Sequence, residues 1–96
     1  MKKYEIMFIV KATMEAEAIK AASTDMQKLI TDNEGKVVEF KEMGEKKLAY
    51  PIKKELNGYY FVMQVEASHE AISEFDRKAL INESILRHLV IRIDEE

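Results

Sequence analysis

The sequence predicts an α+β fold: four antiparallel strands in one sheet, with two helices on one of its faces, in the order βαββαβ. Three observations lead there. Nearly unbroken apolar runs at residues 6–10 and 59–63 read as strands with neighbours on both sides. Stretches after Thr13 and after Ser68 repeat apolar residues at spacings of three and four, as amphipathic helices do. Residues 36–50 and 86–93 are rich in β-formers but carry charges among them, the composition of edge strands.

Each element has its own signals. Residues 4–10 are short, β-prone and apolar apart from Glu5. Thr13 is the expected N-cap of the first helix, and Met14, Ala18, Ala22, Met26, Leu29 and Ile30 are its expected apolar face. Glu15 and Glu17 suit its positive end, and Asn33 with Gly35 supplies the stop. The strand at 36–50 has Gly44 where a bulge would bend it, and Pro51 follows, which a central strand would not tolerate. Residues 54–58, ending in Asn57-Gly58, read as the turn into the strand at 59–65. Ser68 caps the second helix, whose face is Ile72, Phe75 and Ala79, and a last strand follows.

Two crossover helices between strands must land on the same side of the sheet. The result is a ferredoxin-like arrangement with strands one and three central and strands two and four at the edges. Alternation then assigns faces. In strand three Tyr59, Phe61, Met63 and Val65 go inward, leaving Tyr60, Val62, Gln64 and Glu66 on the uncovered face. In strand four Leu89, Ile91 and Ile93 are expected inward, with His88, Val90 and Arg92 outward. An uncovered face carrying Tyr60, Val62 and Val90 is apolar enough to imply a partner.

Composition narrows the function. Ninety-six residues, 47% hydrophobic and 34% charged, make residues 1–96 one expected domain. No apolar run is long enough to span a bilayer, and the opening Met1-Lys2-Lys3-Tyr4-Glu5 lacks a secretory pattern, so the expected compartment is the cytoplasm. With no cysteine, thiol catalysis and thiolate metal sites are excluded. His69 and His88 lie apart without a third imidazole, so no metal or other cofactor is expected. Ser68-His69-Glu70 cannot form a triad from consecutive residues. Three glycines leave no phosphate loop, and Lys11-Ala12-Thr13 does not supply the arginine cradle of an acylphosphatase-like enzyme. No small-molecule substrate is expected. Gly58-Tyr59-Tyr60-Phe61-Val62 also lacks the basic residue and second glycine of an RNA-recognition strand.

Charge is unevenly placed. The net charge is -3, yet residues 13–34 hold five acids against two lysines and residues 66–83 five acids against Arg77 and Lys78, which is -3 in each. Residues 36–54 hold six lysines against three glutamates, and residues 1–12 three lysines against Glu5. Lys46-Lys47 and Lys53-Lys54 bracket Leu48-Ala49-Tyr50-Pro51-Ile52. Edge lysines guard against aggregation; two close pairs, with Lys2 and Lys3 nearby, also suit phosphate contact.

Gly44-Glu45-Lys46-Lys47-Leu48-Ala49-Tyr50-Pro51-Ile52, Gly58-Tyr59-Tyr60, Gln64-Val65-Glu66 and Asn82-Glu83 through Leu86-Arg87-His88-Leu89-Val90 together resemble the bacterial ribosomal small-subunit protein six family, over nearly the whole chain. The resemblance implies a non-catalytic protein that joins ribosomal protein eighteen and, with it, binds the central domain of small-subunit ribosomal RNA. On that reading the RNA-binding residues are Lys2, Lys3, Lys46, Lys47, Lys53, Lys54, Arg87 and Arg92, and the partner-binding residues are Tyr50, Tyr60, Val62, His88 and Val90. Two features depart from the family: lysines at 46 and 47 where many members carry arginine, and the abrupt end Asp94-Glu95-Glu96. The alternative is a free-standing ferredoxin-like regulatory or oligomerisation module that pairs through its open sheet.

Overall fold

The computed structural model describes residues 2–93. Its elements are β1 (Lys2–Lys11), α1 (Ala16–Thr31), β2 (Lys36–Ile52), β3 (Glu55–Ala67), α2 (His69–Ile81) and β4 (Ile85–Arg92). The strands form one antiparallel sheet in the order β2-β3-β1-β4, so the two apolar runs are central as expected. Asp94, Glu95 and Glu96 lie outside the described residues.

Both helices pack on one face. Ile6, Phe8 and Val10 of β1 and Phe61, Met63 and Val65 of β3 meet Met26 and Ile30 of α1 and Phe75 of α2. Phe61 is the hub, its ring centroid 5.2 Å from Phe8, 5.5 Å from Phe40 and 5.1 Å from Tyr59. Each such side chain removed from water contributes roughly 1.5–3 kcal/mol, the main term holding helices to sheet.

The first helix differs from expectation at its start. Glu15 occupies the N-cap without a side-chain bond, while the Thr13 hydroxyl donates to Glu55 Oε1 at 3.3 Å. The buried stripe is Ile19, Ala22, Ser23, Met26 and Ile30, and Ala18 is exposed. Ser23 is tolerated there because its hydroxyl bonds Lys20 O at 2.8 Å. The stop is as expected in place but not in detail: Glu34, not Gly35, has the positive φ of 67°. Gly35 is needed for space, since a Cβ would stand 2.7 Å from Ile30 Cγ2 and 3.0 Å from Glu66 O. At α2 the expected cap is present, Ser68 Oγ accepting from the Ala71 amide at 3.1 Å.

β2 is bent. Its seventeen residues, sixteen steps of about 3.3 Å, would reach about 53 Å if straight, whereas the longest extent of the molecule is 37 Å. Register shifts at Val37/Glu39, Glu42/Gly44 and Lys47/Ile52 do the bending, with Gly44 at φ 94° as its place in the sequence suggests. The last shift is the largest: residues 48–51, including Pro51, stand opposite Leu56 alone.

The turn that follows is not the expected one. Ile52 pairs with Glu55, so the loop is Lys53-Lys54, both at positive φ (50° and 67°), as in a type I′ turn. Asn57-Gly58 lies inside β3 instead. Gly58 is buried, and a Cβ there would come within 2.2 Å of Ile9 Cγ2. The glycine is used for close packing between strands, which leaves two lysines to make the turn.

The faces of β4 are reversed from the expected phase. Val90 pairs with Ile6, His88 with Phe8 and Arg92 with Tyr4, all on the helix side, whereas Leu89 pairs with Met7 and Ile91 with Glu5 on the open side. A register shift at Ile9/Val10 admits Leu86 as an extra residue and sets this phase. The polarity of His88 is met by Asp76 of α2 at 2.6 Å and by the edge of Phe75. Leu89, Ile91 and Ile93, expected in the core, are 49%, 47% and 36% exposed.

Candidate protein and nucleic-acid interface

The open face is apolar along β1, β3 and β4. Met7, Val62, Leu89 and Ile91, with Glu5, line a shallow groove of about 180 Å³. It continues through Met7 and Leu89 into a second groove of about 280 Å³ that includes Ile9, Leu48, Tyr50, Tyr60 and Arg87. Leu48 reaches this face because β2 folds over: with Ile9 and Leu86 it makes a small second core, against which Ile52 and Tyr60 pack. Of the expected partner residues, Tyr50, Tyr60 and Val62 stand on this face, while His88 and Val90 pack toward the helices. Met7, Leu89 and Ile91 take their place. Strand-four alternation could not find Leu89 and Ile91, because apolar residues at 89, 90 and 91 satisfy either phase; pairing with β1 decides it.

The bend also gathers charge. Lys53 Nζ donates to Ile85 O at 3.3 Å, and Arg87 Nη1 donates to the Tyr50 hydroxyl at 2.6 Å, so the tip of the β2–β3 hairpin is tied to the start of β4. The two sheet edges meet there. Lys46 pairs with Gly58 and shares the open face, whereas Lys47 pairs with Asn57 and shares the opposite one. Lys54 borders a hollow of about 320 Å³ with Ala12, Thr13 and Glu45. Lys11 also sits at this end, opposite Gly58 and bonded through its amide to Ser84 O, although its isolation in the sequence hid it. Lys2, Lys3 and Arg92 are at the far end of β1, about 23–30 Å from Lys11 along the strand. The expected single basic surface is therefore two.

On the helix side a groove of about 400 Å³ between α1 and β2 is lined by Ile19, Lys20, Gln27, Phe40, Tyr59 and Phe61 among others. The Tyr59 hydroxyl bonds the Glu42 carboxylate, which with some burial holds the phenol above the usual tyrosine range. The hydroxyl of Ser68 is used as a helix cap, beside an exposed His69. Among the described residues no three histidine or carboxylate side chains group as a metal site, and no helix is long and apolar enough to cross a membrane.

The sequence model of the family described as ribosomal protein S6 matches residues 3–92. The chain belongs to the ribosomal protein S6 family. The crystal structure of 30S ribosomal protein S6 from Thermotoga maritima is similar to it at a TM-score of 0.89 and 27% identity, over 95% of this chain and 86% of that one. The βαββαβ order and single antiparallel sheet are thus those of a ribosomal protein S6. S6 proteins are structural proteins of the ribosome, and a structural role in the small subunit follows for this chain.

Proposed function

We propose that this S6-family chain binds small-subunit ribosomal RNA together with ribosomal protein eighteen, in the cytoplasmic ribosome, and carries out no chemical step. One observation carries the reading: Leu89 and Ile91 are about half exposed beside Met7 and Val62, on a sheet face that neither helix covers. Apolar side chains in that state gain from a protein partner more than from water. The cationic hairpin end adjoins the same face through Arg87, so a protein seated on the sheet and an RNA seated on the hairpin would touch each other. Lys46, Lys53, Lys54 and Arg87 supply the phosphate contacts, with Lys47 on the reverse side; Lys2, Lys3 and Arg92 would meet a separate stretch of RNA.

A chain of net charge -3 with so few clustered cations should bind RNA weakly alone. Titrating central-domain RNA with this protein, with ribosomal protein eighteen, and with both should give tight binding only for the pair. Tight, salt-resistant binding by this chain alone would sink the reading. The oligomerisation alternative uses the same apolar face, and sedimentation separates them: a stable dimer of the free chain would favour self-association.

A further inference from the structure

We propose that Lys53, Arg87 and the Tyr50 hydroxyl form one seat for a backbone phosphodiester of RNA, and that filling it fastens the β2–β3 hairpin to β4. The inference rests on the RNA-binding reading above and specifies where the phosphate sits. Two other surface cations are partnered by carboxylates, Lys41 by Glu39 at 3.5 Å and Arg77 by Glu74 at 2.7 Å. Lys53 and Arg87 are held by neutral acceptors, the Ile85 carbonyl and the Tyr50 phenol, so their positions are set while their charges stay uncompensated among the described residues. Lys53 keeps two of its three N–H donors and Arg87 four of its five. Tyr50 accepts from Arg87, which leaves its own O–H to donate.

The ends of this seat come from the two edges of the sheet. Ile85 O and Arg87 are two residues apart on β4, and Tyr50 and Lys53 lie three apart on the hairpin arm that crosses to meet them. An anion accepting from both sides would bridge them with charge-assisted bonds, stronger than the neutral-acceptor bonds that now hold the arm. The turn supports the same assignment. Lysines occupy both positive-φ positions, where Asn-Gly would be unstrained. Backbone strain concentrated at a cationic tip is the pattern expected where a side chain is needed for binding.

The test separates charge from fastening. Lys53→Gln with Arg87→Gln retains an N–H donor for Ile85 O and Tyr50 while removing both charges. In complexes of central-domain RNA with ribosomal protein eighteen, this variant should lose about tenfold or more in affinity, and its salt slope should fall by roughly one to two units, with unchanged melting of the free protein. The charge-conserving exchange Lys53→Arg with Arg87→Lys should keep the slope. Amide exchange of Tyr50, Ile52, Lys53 and Lys54 should slow in the wild-type complex; slowing by inorganic phosphate alone would mark a general anion seat, and slowing by RNA alone a phosphodiester in its chain. A glutamine variant that assembles with wild-type affinity and slope overturns the seat while leaving RNA binding intact. Failure of the wild type to form any RNA complex overturns the RNA-binding reading, and the seat with it.

Discussion

The two faces of the sheet are made by the same four strands, yet one is closed by the chain and the other is not. On the helix side Ile6, Phe8, Phe61, Met63 and Val65 are almost wholly buried under Met26, Ile30 and Phe75. On the open side only the hairpin end is closed, where Leu48 folds onto Ile9 and Leu86; toward the other end Leu89 and Ile91 stay about half exposed. The first face is aromatic and layered, the second mostly aliphatic and shallow. The difference divides the labour: burial on the helix side stabilises the domain, and the apolar surface left on the other side is available for association.

The sharpest way to break this contrast is Phe61→Ala. Phe61 is 3% exposed and in ring contact with three aromatics, so its removal should cost roughly 3–5 kcal/mol, read as a lowered midpoint in a chemical melt. A loss under about 1 kcal/mol would mean that the helix side is not the main core.

Adjacent residues of β4 provide the next test. Val90→Asp places a carboxylate against the core beside Ile6 and should cost about 2–3 kcal/mol; Leu89→Asp faces water and should stay within about 0.5 kcal/mol of wild type. Calorimetric titration with ribosomal protein eighteen should then show Leu89→Asp folded but unable to bind. The opposite pattern of stabilities would restore the alternation read from sequence alone.

The smallest effect should have the opposite sign. Lys53→Asn with Lys54→Gly relieves two positive-φ lysines and should raise stability by about 1 kcal/mol, measured as a higher melting temperature. RNA assembly should weaken at the same time. A variant that is both more stable and equally competent would show that the turn lysines serve neither fold nor binding.

How much of this was legible beforehand varied by element. β1 and β3 could be read directly, because their nearly unbroken apolar runs mark strands flanked on both edges, and they are the central pair of the sheet. The inward set of β3 followed, since Gln64 and Glu66 could not have shared the aromatic core. In β4 the polar His88 and Arg92 suggested an outward phase, but Asp76 on α2 satisfies His88 and allows it to face the helices. Asn57-Gly58 looked like a turn by local rule, and lost that role because Ile9, nearly fifty residues away in sequence, needs the space of Gly58. For the basic site the cations were recognisable by type; that Lys53 meets β4 while Lys2, Lys3 and Arg92 stay remote was not.

By itself the sequence determined the element order, the central strands, the helix cap at Ser68 and the inventory of cations, because each depends on periodicity, local hydrogen bonding or composition within a few residues. Tertiary structure decided the phase of β4, the bend of β2 and the meeting of Tyr50 with Arg87. Those depend on register between strands far apart in the chain, where a single extra residue such as Leu86 transfers every following side chain to the other face.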